Sequence, residues 1–123
     1  MPEHAIPADV RRFVLTSIPS VPYLEAVLLL RQQPAQTSTA RDVARALYIS
    51  ERAANELLHA QCTAGILERK GAAYRYAPRD AALAQALDRL AEIYAIHLIA
   101  VTHLIHDATQ KSAQRFADAF KLR

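Results

Sequence analysis

His103 and His106 lie three residues apart with Asp107 beside them, and on a helix that spacing gathers three potential metal ligands. Such a cluster is half a metal site. It needs further ligands, and the chain's one cysteine, Cys62, cannot supply a pair. Two solvated histidines explain the spacing more simply, so no metal is expected. Cys62 falls near the end of a helical segment beside Leu58, where a small buried side chain fits better than a redox sensor. His97 interrupts an apolar run and reads as a core or interface histidine rather than a pH sensor. Asp88 and Glu92 are ordinary helix-surface charges. The chain has no Gly-rich phosphate loop, no nucleophile elbow and no metal-hydrolase spacing, so neither catalysis nor a cofactor is expected.

The remaining chemistry is charge. The chain carries a formal net charge of +3 over 123 residues. Between Arg31 and Pro78 there are seven basic and four acidic residues, so this middle segment holds the whole excess. A local basic excess suits a phosphate-facing surface, although a solvated face has the same composition. Hydrophobic residues make up 52% and charged residues 22%, enough for a core and against global disorder. Met1-Pro2-Glu3-His4 shows no basic start leading into an apolar run, so no secretory leader is expected. The most apolar stretch, Ile93 to Ile105, is too short to span a bilayer and contains His97 and His103. These features predict a cytoplasmic protein with no membrane partner.

The elements that would position the basic residues follow from punctuation and periodicity. Pro7 opens a helix through Val10, Phe13, Val14 and Ile18. Ser20 and Pro22 open a second helix, which ends near Pro34, and residues 33–38 read as a loop. Thr39 with Asp42 fits a capping box for a short helix bearing Val43, Ala44 and Leu47 inward. That helix stops near Tyr48-Ile49, and Ser50 caps the next. Ala54, Leu57, Leu58 and Gln61 share one face of that helix, and Gly65 is placed to close it in a left-handed conformation. Ile66–Lys70 and Tyr74–Tyr76 flank a glycine turn and predict a hairpin.

From Asp80 to Thr109 there is neither Pro nor Gly. Leu83, Leu87, Leu90, Tyr94, His97, Val101 and Leu104 recur at alternating steps of four and three, a heptad seam. About 30 helical residues would extend roughly 45 Å. A stripe this wide asks for a second chain, so the seam is expected to form a homodimer. A last short helix is expected to hold Phe116 and Phe120. The predicted fold is mostly α with a small β-hairpin wing. Residues 1–78 are expected to form the domain bearing the N-terminal helix, the two short helices and the hairpin, and 79–123 a C-terminal helical dimerisation segment, the whole making one compact domain.

The run Asp42-Val43-Ala44-Arg45-Ala46-Leu47-Tyr48-Ile49-Ser50, then Leu57-Leu58, then Gly65-Ile66-Leu67, resembles the winged helix-turn-helix family of bacterial transcriptional regulators, most closely the MarR-like group. The resemblance covers about Thr37 to Pro78. It implies a sequence-specific DNA-binding regulator that acts as a homodimer on double-stranded DNA. Helix 50–63 would enter the major groove, and wing 66–76 would meet the backbone or minor groove. It also implies a small-molecule effector near the dimer helices, which no residue here identifies.

At 100° per residue, the inward set leaves Arg52, Glu56 and His59 outward, with Ala53 and Asn55 on the flanks. Under the resemblance Arg52 would read guanine, Asn55 adenine, and Ala53 a thymine methyl. Thr39, Arg41 and Ser50 would hold phosphates at the helix starts, and Arg69, Lys70 and Arg75 would make the wing basic. Tyr74 and Tyr76 are expected to pack on helices rather than stack on bases. Glu51 and Glu56 run against this reading, because Arg52 and Glu56 are four apart and can simply pair, for about 0.2–0.5 kcal/mol at best. The alternative is a winged-helix protein-interaction module that does not bind DNA.

Overall fold

The computed structural model describes residues 6–121, with side chains through Ala119, so the readings on Met1–His4 and on the Phe120 side chain lie outside the described residues. The elements run α1 (Ala8–Ser17), α2 (Val21–Arg31), β1 (Ser38–Thr39), α3 (Ala40–Leu47), α4 (Glu51–Thr63), β2 (Leu67–Lys70), β3 (Ala73–Tyr76), α5 (Ala81–Ile96) and α6 (Leu98–Lys121). This is the mostly α architecture with a β wing that the sequence predicts. The chain forms two compact units: Pro22–Leu87 is one, and α1 joins the chain from Asp88 onward in the other. In this division α1 groups with the C-terminal helices, and the boundary falls inside α5.

In the Pro22–Leu87 unit, local chemistry sets nearly every boundary. Thr39 closes a full capping box: its N–H donates to Asp42 Oδ2 at 2.9 Å, and Asp42 N–H donates to Thr39 Oγ1 at 3.2 Å. Tyr48 ends α3 in the left-handed region, at φ 57 and ψ 44. Ser50 Oγ then accepts from Ala53 N–H at 3.0 Å and starts α4. At the far end Gly65 sits at φ 80. Ile66 N–H reaches Gln61 O at 2.9 Å and Gly65 N–H reaches Cys62 O at 3.0 Å, which is a Schellman closure. Gly71, at φ 62, takes the first position of the two-residue β2–β3 turn, where a left-handed residue matches the twist of the flanking strands.

The sequence reading needs three corrections here. Ser38, expected to end the loop, instead forms with Thr39 a third strand: Ser38 pairs with Tyr74 and Thr39 with Ala73, giving the antiparallel order β1-β3-β2. Two residues are too few for a periodic signal, and only the presence of β3 creates the pairing. The helix expected from Asp80 to Thr109 is also broken, at His97. Backbone bonds persist on both sides, from His97 N–H to Ile93 O at 2.7 Å and from Val101 N–H to His97 O at 3.1 Å. No Pro or Gly lies there, and beyond the break α6 packs on α1. The separate last helix expected around Phe116 is simply the end of α6.

In the second unit, Arg89 grips Asp9 through two bonds, Nε to Oδ2 at 2.6 Å and Nη2 to Oδ1 at 3.1 Å. Thr109 Oγ1 donates to Pro19 O at 3.1 Å. Val10, Val14 and Ile18 of the α1 segment are buried, as are Val101, Leu104 and Ile105 of α6. Leu87, Leu90, Tyr94, Val101 and Leu104 are buried within a single chain, and Leu83 and His97 are half-buried. Side chains already removed from water have little surface left for a second chain. The large apolar side chains left outside in this unit are Leu15, Ile96, Leu98, Ile99 and Phe116.

The caps carry two expected outcomes. Thr39→Ala removes the side-chain acceptor at the start of α3 and should cost about 1 kcal/mol, read as a fall in Tm of about 3–5 °C. The Asp42 carboxyl is held below its usual pKa of 3.8, first by the Thr39 backbone N–H and then by its hydroxyl. A depressed folded pKa gives stability that is present above 3.8 and lost as pH falls through the lower folded value. Acid titration followed by circular dichroism should show that loss, and Asp42→Asn should flatten it.

Candidate nucleic-acid interface

Helix α4 is held by one face. Ala54, Leu58 and Gln61 have no exposed surface, and Leu57 is half-buried. Gln61 Nε2 donates to Tyr23 O at 3.0 Å and ties α4 to α2. With that face down, the 3.6-residue period turns Arg52, Asn55, Glu56 and His59 into solvent, and Ala53 lies half-buried on the flank. Arg52 and Glu56 do pair, at 3.7 Å from Nε to Oε1, yet their side chains remain 91% and 74% exposed. A pair so open is easily traded for another partner.

The residues at the helix starts have duties of their own. Thr39 and Ser50 each use the hydroxyl oxygen to accept a backbone N–H; the Thr39 hydroxyl also serves the Asp42 carboxylate, whereas the Ser50 hydroxyl hydrogen is left for an anion. Arg41 lies exposed on α3.

The wing is less uniformly basic than its sequence suggests, because pleating divides its cations. Arg69 stands opposite Tyr74, and Glu68 stands opposite Arg75, with Lys70 on the same face as Glu68. Arg69 Nε donates to Gly71 O at 2.9 Å, and its guanidinium lies over the Tyr74 ring at 5.9 Å from the centroid. Tyr74 is buried and Tyr76 half-buried, so both pack rather than offer a ring face.

Glu68 draws in Lys70 Nζ at 3.4 Å and also bonds Arg75 Nη2. Burial pushes the Glu68 carboxyl up, but the two cations outweigh it and hold the group below its usual range. Glu68 is the member of this candidate surface that sequence reasoning missed. The alternation Glu68-Arg69-Lys70 was the available clue, since residues i and i+2 of a strand share a face.

Other residues with chemical potential contribute less. Burial pushes the Cys62 thiol up, with Arg69 offsetting part of that, so the thiolate is disfavoured. Among the described residues, no group of three His, Cys, Asp or Glu side chains could hold a metal ion. His103, His106 and Asp107 are exposed on α6. His103 and Asp107 border a groove of about 600 Å³ between α1 and α6, which Arg11, Lys111 and Arg115 also line. No single helix among the described residues is long and apolar enough to cross a membrane.

The arrangement is thus a capped helix with an open polar arc, preceded by a short helix and a tight turn and followed by a hairpin. No family model matches the chain, and no curated protein matches it by sequence. By structure it is similar to the crystal structure of a MarR family protein from Mycobacterium tuberculosis, with a TM-score of 0.53 at 16% identity, over 92% of this chain and 80% of that one. The chain has a MarR-like winged helix-turn-helix fold.

Proposed function

We propose that the protein is a sequence-specific DNA-binding transcriptional regulator of the bacterial cytoplasm, acting as a homodimer. Helix 50–63 enters the major groove, and wing 66–76 rests on the backbone or minor groove. The observation that carries this reading is the outer arc of α4: Arg52, Asn55, Glu56 and His59 stand in solvent on a helix closed at both ends. Arg52 is suited to guanine and Asn55 to adenine, at about 1–3 kcal/mol of discrimination for a good bidentate contact.

Charge sets the expected strength. About four phosphate contacts per subunit give a salt slope of about −3.6, and a dimer about twice that. One subunit alone would bind weakly, so pairing is part of the proposal. Ile96, Leu98 and Ile99, exposed around the α5–α6 break, supply unpartnered apolar surface for it. The competing reading, a protein-docking module, is favoured by one feature: Glu68 draws both Lys70 and Arg75, which lowers the wing's net positive charge.

Fluorescence anisotropy on random duplex at two salt concentrations tests the DNA reading. Micromolar or tighter binding at low salt that weakens steeply with added salt is expected, and no binding at low salt favours the docking module. Arg52→Ala should relax sequence preference, whereas Lys70→Ala should weaken all sequences alike. Glu68→Gln frees two cations and should tighten binding at low salt by about fivefold. On the dimer, sedimentation at micromolar concentration should show twice the 13.6 kDa chain mass. Ile99→Asp, at an exposed position, should leave a folded monomer.

A further inference from the structure

Tyr48 occupies a costly place. It is the one non-glycine position among the described residues with positive φ, and its side chain is 95% exposed. At the end of a helix this conformation suits glycine, whose missing Cβ removes the clash that an L side chain meets there. A tyrosine in the same position carries strain and places an apolar ring in water, where it packs against nothing. Strain of this kind persists where surrounding structure enforces it, and such positions cluster at functional sites.

The surroundings indicate what the ring would meet. Tyr48 borders an open, shallow basin with Arg41, Ala44, Arg45, Ile49 and Glu51. Arg41 and Arg45 are one helical turn apart on α3 and both exposed, and neither makes an ion pair among the described residues. Asp42 lies within their field, but its carboxylate is bonded to the Thr39 N–H. Glu51 is the other carboxylate at the basin. Tyr48 is two residues before Ser50, so the basin adjoins the N-terminal end of α4, the end that enters the groove under the proposed function. A phosphate chain flanking the groove would pass this basin.

We propose that Tyr48, with Arg41 and Arg45, forms a backbone clamp on DNA at the helix-turn-helix corner. The ring covers a deoxyribose, and its O–H donates to a phosphate oxygen. The two guanidinium groups take neighbouring phosphates. Tyrosine suits this task because its ring is apolar while its tip is a hydrogen-bond donor. The clamp reads no bases, so it adds affinity without altering preference. It rests on the DNA reading above and extends that reading to residues outside the recognition helix and the wing.

The test is Tyr48→Gly in the full chain, with Tyr48→Phe, Arg45→Ala and Arg52→Ala beside it. A residue that merely ends the helix at positive φ would gain stability from glycine and leave binding untouched. Under the proposal, Tyr48→Gly keeps Tm or raises it by up to about 3 °C. It also weakens binding to random duplex about tenfold, while Tyr48→Phe, which keeps the ring, loses about threefold. Arg45→Ala reduces the salt slope by about one, and only Arg52→Ala shifts preference among sequences.

Binding of Tyr48→Gly within about twofold of wild type overturns the clamp and leaves the corner to a protein partner. A fall in Tm above about 5 °C overturns it too, because the ring would then serve the fold. Wild-type protein that ignores duplex at low salt defeats the DNA reading and the clamp together, so the two failures are told apart.

Discussion

Gln61 has no exposed surface, and its Nε2 reaches 3.0 Å to the carbonyl of Tyr23 while Oε1 finds no partner. An unsatisfied buried acceptor costs about 1–3 kcal/mol, so the position is retained against a penalty. Full burial of Leu58 on the same face returns about 1.5–3 kcal/mol. The amide adds direction to that burial: it fixes α4 in rotation against α2, where a purely apolar face would tolerate sliding. With the inner face set, the outer arc is set too. A rotation of one residue, about 100°, would turn a different arc outward and put charged side chains under the helix.

The ends of α4 are held by the same economy of local groups. The Ser50 hydroxyl satisfies an N–H that has no partner inside the helix, and the Gly65 closure satisfies carbonyls at the other end. Arg79 reinforces that closure. Its Nη1 donates to Ala64 O at 2.6 Å, and a Cβ on Gly65 would come within 2.8 Å of its side chain. Gly65 is thus favoured by its positive φ, and the exposed Arg79 side chain would have to shift to admit a Cβ there. The wing begins at this corner, so the same closure sets where Lys70 and Arg75 project.

Charge on this surface is balanced rather than abundant. Glu56 lies against Arg52, and Glu68 lies against Lys70 and Arg75. Such exposed pairs hold weakly and exchange readily with a more concentrated anion. They also lower the attraction of the free surface for any polyanion. A modest field of this kind suits a protein whose affinity comes from two copies acting together rather than from one strongly basic face.

The helix starts and stops were legible in the sequence because each is written in one or two residues whose side chains act locally. Thr39 with Asp42, Ser50, Gly65 and Gly71 do in the structure what their chemistry predicts, and so does the inward set of α4. The residues proposed to face DNA were legible only as an outward arc, since period alone gives direction without partners. Three features were settled elsewhere. β1 exists because β3 lies beside it, α6 restarts after His97 and packs on α1, and Glu68 captures two cations because the pleat puts them on its face. In each case the deciding contact joins separate elements, and no periodicity along one segment can report that. The heptad stripe shows the same limit. Its apolar content was plain from residue types, but whether it faced this chain or another depended on what the fold placed opposite it.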